Sequence, residues 1–439
     1  MVKILLVLPD AHIHRLKIGR FKISFREAPL TLTTLAALVP PELNMDVKII
    51  DESIEDIPFN ESFDLVGISC LTGTANRAYA IADQFSNLGS TVVLGGVHLS
   101  LIPEEAREHA HSVVIGFAEE LWPQLLRDFV HGVLKKEYKS DRVCLENLPV
   151  PRRDLQKKFG YMMPNTVFAT RGCRGACDFC TVPSVPFGWH MRPVDNVIDE
   201  IAALNGKRFT FNDVNLLDNR EYAISLFKKM KPLKKKWGGL VSTRIGQDEE
   251  MLDLMSESGC IYLLIGFESV LRTATTQINK GFNDPNKYAA LMQMMHARNI
   301  IVQGCFIFGC DDDGPGIFER TVNMVNELKI DIPRYAIYTP YPKTAAFRKL
   351  MSQDRLLHFN WDHYDTQHVV FRPAQMTPEE LDKGFRWAYK KTFGLSSITK
   401  RLSFKRSFPV LLAGNLAYRM YCNRLDNDTS RLFTGQNVK

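Results

Sequence analysis

Three cysteines lie close together in the segment Arg171-Gly-Cys-Arg-Gly-Ala-Cys-Asp-Phe-Cys180, with the spacing C-x3-C-x2-C. Three thiolates this close in sequence can bind one corner of an iron–sulfur cluster or one soft metal ion. A closed structural site needs a fourth ligand, whereas three protein ligands leave one coordination position open for chemistry. A structural zinc ion, with His190 as the fourth ligand, is the alternative interpretation.

The triplet follows an apolar strand at 166–169 and has an aromatic residue, Phe179, before its last cysteine. In both respects it resembles the signature of the radical S-adenosylmethionine (SAM) enzymes. The resemblance implies that Cys173, Cys177 and Cys180 hold a [4Fe–4S] cluster whose fourth iron binds SAM. It also implies SAM contacts from residues at the ends of the next three strands, namely Asp213, Ser242, Arg244 and Glu268.

Length and composition indicate the class of protein that carries this cysteine triplet. A chain of 439 residues is expected to form two or three domains, and 45% hydrophobic with 24% charged residues is typical of globular proteins. Six of the nine cysteines are scattered singly, which argues against a disulfide framework and favours a reducing cytoplasm. No apolar run approaches the roughly 20 residues that cross a bilayer.

Short apolar runs alternate with helical patterns over residues 1–145. This alternation predicts a doubly wound, Rossmann-like parallel sheet, with ligands at the carboxyl ends of its strands. The predicted strands are Ile4–Leu8, Val47–Ile50, Leu65–Ser69, Val92–Gly95 and Val113–Ile115.

A linker with paired prolines is predicted at 146–160, and a second strand–helix series follows at 161–345. Six such units favour a partial (βα)6 barrel, since a complete eightfold barrel needs a longer chain. The predicted strands are Val167–Ala169, Phe209–Phe211, Gly239–Ser242, Tyr262–Gly266, Gln303–Phe308 and Tyr335–Tyr338. Residues 346–439 are predicted to be mainly helical.

The N-terminal region resembles the domain that precedes the barrel in the cobalamin-binding branch of the radical SAM enzymes. Ser69-Cys-Leu71 and Gly95-Gly96 match two of its motifs, which implies that Ser69, Leu71, Gly95 and Gly96 contact cobalamin. The first motif matches only in part, because Arg15 follows Asp10-Ala-His12 where a glycine is usual. A further motif, Gly116-Phe-Ala-Glu119, is also altered.

The resemblance implies methylation of an unactivated carbon. One SAM would methylate cobalamin, and a second would give a 5′-deoxyadenosyl radical that activates the substrate for transfer from methylcobalamin. An oxidative cyclase or a rearrangement enzyme remains an alternative, as does a non-catalytic iron–sulfur or cobalamin-binding regulator. A segment from Tyr364 to Glu379 resembles one found in hopanoid methylases and favours an apolar, lipid-like or tetrapyrrole substrate. A reductant such as flavodoxin or ferredoxin is also implied.

The net charge of +6 hides an asymmetry, since residues 383–424 contain ten Lys or Arg, eight aromatic residues and no Asp or Glu. No recognisable nucleic-acid-binding module accompanies this charge, so no nucleic-acid partner is expected. Peripheral contact with an anionic membrane is one interpretation of the segment, because basic and aromatic residues suit the headgroup region. Pairing with the acidic remainder of the chain is the other.

Overall fold

A computed structural model describes residues 1–10, 15–18, 21–140, 143–157, 159–185, 188–402 and 408–427. The chain divides into two compact units. The first unit comprises Met1–Arg174, Thr181–Asn212 and Tyr341–Lys343, and the second comprises Gly175–Cys180, Asp213–Pro340 and Thr344–Lys439. The finer domain bounds expected from the sequence stay a prediction.

The first unit contains a six-stranded parallel sheet with helices between its strands. Its elements are β1 (Lys3–Leu8), β2 (Arg15–Ile18), β3 (Phe21–Glu27), α1 (Thr31–Ala37), β4 (Asp46–Asp51), β5 (Leu65–Ser69), α2 (Ala75–Asn87), β6 (Thr91–Gly95), α3 (Val97–Leu101), α4 (Pro103–His109), β7 (Ser112–Ile115), α5 (Leu121–Val130), β8 (Glu137–Lys139), β9 (Tyr161–Met163), β10 (Thr166–Val167), β11 (Thr170–Arg171), β12 (His190–Met191), α6 (Val194–Ala203) and β13 (Arg208–Phe211).

The order of this sheet is β4-β1-β5-β6-β7-β8, which confirms the predicted Rossmann-like fold. The central strands β1, β5, β6 and β7 are mostly apolar because both faces of the sheet are covered, and Ile4, Leu65 and Leu94 are fully buried. The strand order reverses at β1, between β4 and β5, and open α/β sheets bind ligands at such a reversal.

A small sheet in the order β2-β3-β9 is an element that the sequence analysis did not predict. The hairpin β2–β3 pairs Leu16 with Ile23 and Lys17 with Lys22. Its sequence, Arg15-Leu-Lys-Ile-Gly-Arg-Phe-Lys-Ile-Ser-Phe, alternates apolar and polar residues. This period of two is the normal signal of a half-buried strand, so the hairpin was readable from the sequence.

A carboxylate, Glu200 on α6, lies fully buried between two arginines of the first unit. Arg192 pairs with it at 2.7 Å and also donates to the Phe168 carbonyl at 2.8 Å. Arg153 pairs with Glu200 and donates to the Thr166 carbonyl at 2.5 Å. The cluster thus ties the predicted linker to the first barrel strand, β10.

The second unit continues the strand–helix series. Its elements are α7 (Arg220–Met230), β14 (Lys236–Ser242), α8 (Glu249–Glu257), β15 (Cys260–Glu268), α9 (Arg272–Gln277), α10 (Tyr288–Ala297), β16 (Ile301–Phe308), α11 (Ile317–Glu327), β17 (Ile332–Ile337), α12 (Ala345–Ser352), α13 (Pro378–Thr392), α14 (Leu395–Arg401) and α15 (Phe408–Asn427). Strands β14 to β17 pair in parallel. They correspond to the last four of the six predicted barrel strands.

The first barrel strand is shorter than predicted. Strand β10 ends at Val167, and Phe168 and Ala169 belong to no strand. The Arg192 guanidinium donates to the carbonyl of Phe168. The backbone N–H of Arg192 donates to the carbonyl of Ala169 at 2.9 Å. The sequence therefore located this strand but not its end.

The C-terminal region is helical, as predicted, and α13 shows why its helices begin where they do. Thr377 and Glu380 form a reciprocal capping box, and Pro378 occupies the first turn. The helix packs through Tyr389, whose hydroxyl donates to the Tyr335 carbonyl on β17 at 2.9 Å. Much of the basic, aromatic segment therefore belongs to the core of the second unit.

One of its positive charges is itself buried. The Arg401 guanidinium donates to the carbonyls of Ile330, Asp331 and Thr392 at 2.9–3.2 Å. Among the residues that the structure describes, no helix is both long enough and apolar enough to cross a membrane.

We predict that Glu200→Ala lowers the free energy of unfolding by about 3–5 kcal/mol, because it leaves two arginines without their buried counter-charge. The control is Glu257→Ala, which removes an exposed ion pair with Lys231 and should cost less than about 1 kcal/mol. Urea unfolding followed by tryptophan fluorescence measures both. Equal midpoints for the two variants would show that the buried cluster does not stabilise the fold.

Candidate cofactor sites

The loop with the three cysteines begins at a tight turn in the first unit. Strand β11 pairs with β12, so that Arg171 lies opposite His190. Gly172 follows with a φ of 82°, and a side chain there would collide with the backbone carbonyl of Gly188. The residue before Cys173 must therefore be a glycine.

The rest of this loop belongs to the second unit, where three contacts hold it. The Asn279 side chain donates to the Ala176 carbonyl at 2.6 Å, and the Asp178 backbone N–H donates to the Ile278 carbonyl at 3.3 Å. The Tyr338 hydroxyl, after β17, donates to the Asp178 carboxylate at 2.7 Å. Residues 176–178 are thus fixed by the turn after α9 and by the end of the last barrel strand.

Cys177 and Cys180 are partly exposed, and the environment of Cys177 suits a metal ligand. Burial raises the pKa of Cys177 to about 11, and Cys180 and Glu268 add to the rise while Lys280 opposes it. Such a thiol gives up its proton when a cation binds the sulfur. The chemistry of Cys177 therefore fits a thiolate ligand.

The predicted SAM contacts on β14 and β15 lie side by side. The last residue of β14, Ser242, has Gly266 as its register partner on β15, and Glu268 ends that strand. Asn283 joins the two strand ends, since its side chain donates to the Gly266 carbonyl at 2.8 Å and accepts from the Thr243 hydroxyl at 2.5 Å. Residues far apart in sequence are thereby assembled at one edge.

Glu268 occupies a left-handed backbone conformation with a φ of 66°, at a bulge in the pairing of β15 with β16. Such a conformation costs a non-glycine residue about 1–3 kcal/mol and is typical of functional positions. Its carboxylate forms an ion pair with Lys280. Nearby, the Arg244 guanidinium stacks 4.2 Å from the centre of the Phe282 ring. Asp213 is buried at the start of the second unit.

The predicted cobalamin contacts also come together, within the first unit. Ser69 and Gly95 are register partners at the ends of β5 and β6. Gly96 follows with a φ of 110°, and a Cβ there would approach the Cys70 nitrogen to 2.7 Å and the Ser69 hydroxyl to 3.0 Å. Leu71 extends from the same edge with 55% of its surface exposed. The two glycines leave space beside the sheet edge, and the exposed Leu71 offers an apolar contact. Both features fit binding of the cobalamin tail.

Three polar contacts lead from Gly96 to the start of the cysteine loop. The Ser100 hydroxyl donates to the Gly96 carbonyl and accepts from the Gly116 N–H, each at 2.9 Å. Beyond Gly116, the Glu119 carboxylate pairs with Arg171 at 3.2 Å. The altered motif at 116–119 thus supplies a residue that reaches the loop next to Cys173.

The comparisons with known proteins agree with this geometry. The radical SAM superfamily profile matches residues 167–325, and the B12 binding domain profile matches residues 17–126. The chain is 34% identical over 394 residues to bacteriochlorophyllide d C-12(1)-methyltransferase of Chlorobaculum tepidum, covering 86% of this chain and 85% of the relative. This chain belongs to the cobalamin-binding radical SAM family.

Other members extend the comparison. The anaerobic magnesium-protoporphyrin IX monomethyl ester cyclase of Rubrivivax gelatinosus is 24% identical, over 75% of this chain and 66% of its own length. The solved structure of TsrM from Kitasatospora setae, a radical SAM methyltransferase with cobalamin and a [4Fe–4S] cluster bound, superimposes with a TM-score of 0.65. It is 16% identical and covers 96% of this chain and 91% of its own, so it supports the fold.

Family membership makes this protein a radical SAM enzyme with a [4Fe–4S] cluster, SAM and cobalamin as its cofactors. The interpretations as a zinc site and as a non-catalytic regulator are thereby set aside. His12, the histidine of the partial motif, lies outside the described residues. Lys280 and Asn283 at the site were missed, because they follow α9 with no motif or spacing that marks them.

We predict that replacements at Gly95 weaken hydroxocobalamin binding as the side chain grows, from Ala to Leu. Alanine fits the fold, since the nearest atom to its Cβ is Val114 Cβ at 3.6 Å, so a loss of affinity reports on the ligand. Leucine should cost more than about 1.4 kcal/mol, a tenfold loss. Gly316→Ala, where no atom lies within 4 Å of the added Cβ, is the control in equilibrium absorbance titrations. Unchanged affinity in Gly95→Leu would place the tail elsewhere.

Proposed function

We propose that this radical SAM enzyme methylates an unactivated carbon of a chlorophyll-type tetrapyrrole. The observation that carries the proposal is the 34% identity, over 86% of this chain, with an enzyme named for methylating bacteriochlorophyllide d. A second relative, bacteriochlorophyllide d C-8(2)-methyltransferase of the same organism, is 27% identical over 89% of this chain. The two relatives are named for different carbons of one pigment, so the macrocycle is the proposed substrate class.

In this proposal each group of residues has a separate task. Cys173, Cys177 and Cys180 hold the cluster, and the strand-end residues bind SAM, namely Asp213, Ser242, Arg244 and Glu268. Ser69, Leu71, Gly95 and Gly96 hold cobalamin at the edge of the first sheet. When bound, the cluster and SAM supply hydrogen abstraction from carbon, and cobalamin supplies the methyl group. The protein orients these reactants, and orientation is a large part of the catalysis.

An oxidative cyclase is the second candidate function. It is favoured by the 24% identity with the anaerobic cyclase of Rubrivivax gelatinosus. The two candidates differ in their products, since a methylase adds one carbon and a cyclase closes a ring without adding one. A low-potential donor such as flavodoxin or ferredoxin serves either reaction, and the cytoplasm is the proposed location.

We predict that the reconstituted protein, with SAM, cobalamin and a reductant, converts bacteriochlorophyllide d to a product heavier by one methylene group. Mass spectrometry of the pigment measures this. The control is the variant with Cys173, Cys177 and Cys180 all changed to Ala. The native protein should bind about four irons per chain, and the variant should bind none and be inactive. Ring closure of magnesium-protoporphyrin IX monomethyl ester without a change in carbon count would favour the cyclase, and a triple variant that kept its cluster would contradict the site.

We also infer peripheral contact with an anionic membrane, through a stripe on α15 formed by Pro409, Ala413, Leu416 and Met420. All four side chains are exposed, whereas Leu411 and Asn415 on the opposite face are buried. Exposed lysines at 390, 391 and 400 belong to the same basic segment. An apolar stripe within a basic segment of the chain suits an anionic interface and would bring the enzyme to membrane-bound pigment.

We predict that the protein sediments with phosphatidylglycerol vesicles at low salt, and that Leu416→Ser with Met420→Ser prevents this. Truncation at Gly384 is unsuitable, because it would remove the buried Phe385 and Tyr389. The control is Leu88→Ser with Met351→Ser, which changes two exposed apolar residues elsewhere. Equal sedimentation of the two variants, or no sedimentation of the native protein, would contradict a membrane contact through α15.

A further inference from the structure

Lys280 follows α9 and has no role in the motifs discussed above. Its backbone N–H donates to the Thr275 carbonyl at 2.8 Å, which fixes the turn. Its side chain is only 16% exposed and forms an ion pair with Glu268. The ammonium lies 5.8 Å from the centre of the Phe179 ring, next in sequence to Cys180. A lysine is therefore held where the barrel strand end and the cysteine loop meet.

The charge of Lys280 persists in this buried place. Burial by itself favours the neutral amine, but the carboxylate of Glu268 and the thiols of Cys177 and Cys180 together raise the pKa of Lys280. The lysine thus keeps its positive charge next to the cysteine loop, where its ammonium lies 5.8 Å from the centre of the Phe179 ring.

The side-chain positions of Glu268 and Lys280 also depend on each other. The carboxylate lies over Gly266, where any side chain would overlap Glu268 and come within 3.2 Å of the Lys280 ammonium. Glu268 occupies this position with a strained, left-handed backbone. An ion pair in a partly buried place is stronger than one in water, and it offsets part of that strain.

We propose that Lys280 is a positioning residue that makes the cluster easier to reduce and holds the Glu268 carboxylate in place. This inference rests on the proposed role of Cys173, Cys177 and Cys180 as cluster ligands. Reduction moves one electron from the external donor to the cluster and adds one negative charge there. A fixed ammonium beside the cysteine loop, 5.8 Å from the centre of the Phe179 ring, stabilises that added charge. The charge and solvent exposure around a cluster are among the factors that set its reduction potential.

The test is a redox titration of the reconstituted cluster, followed by electron paramagnetic resonance without SAM. Lys280→Met should shift the midpoint potential to a more negative value, and Lys280→Arg, which keeps the charge, should restore it. Glu268→Gln removes a negative charge and should shift the potential in the positive direction. Lys287→Met, at an exposed lysine in the following turn, is the control and should leave the potential unchanged.

The iron content of each protein shows whether a negative result concerns the proposed function or only the role of Lys280. A native protein that binds no cluster would overturn the proposed function itself. A native cluster whose potential is the same in Lys280→Met would overturn only the role of Lys280. If Lys280→Met does not bind a cluster, the midpoint potential of Glu268→Gln is the deciding measurement. An unchanged potential in Glu268→Gln would contradict the inference.

Discussion

The site depends on one constraint, which is that neighbouring strands in a parallel sheet all end at the same edge. Ser242 and Glu268 are separated by a complete helix in sequence, yet they end neighbouring strands of the barrel. The same rule brings Ser69 and Gly95 together in the first unit. Backbone hydrogen bonding along each sheet therefore assembles both groups of candidate ligands before any side chain makes a contact.

Polar contacts then hold these strand ends in their particular shapes. Asn283 binds the carbonyls of Gly266 and Phe267 and accepts from Thr243, so it fixes the ends of two strands at once. Glu268 keeps an unfavourable backbone conformation within this frame. A conformation of this kind persists only where the surrounding structure imposes it. Here the imposing groups are Asn283 and the ammonium of Lys280.

The sequence predicted the strands of both sheets well, because a buried parallel strand is a short apolar run between helical patterns. It also placed Ser69, Gly95, Ser242 and Glu268 at the ends of strands, where the structure has them, while their roles in binding stay a prediction from the family resemblance. It missed Lys280, Asn283 and the pairing of Glu119 with Arg171. These contacts join residues from different loops, whose approach depends on the fold and leaves no periodic signal. The hairpin β2–β3 differs from these contacts, since its alternating pattern of apolar and polar residues is visible in the sequence.

We propose that this chain uses SAM in two ways, as methyl donor and as radical source. The ratio of the two SAM-derived products, S-adenosylhomocysteine and 5′-deoxyadenosine, formed per methylated pigment in a reduced, cobalamin-loaded reaction tests this most directly. We expect one of each for every methyl group transferred. Methylated pigment that forms without 5′-deoxyadenosine, or 5′-deoxyadenosine that forms without any S-adenosylhomocysteine, would contradict it.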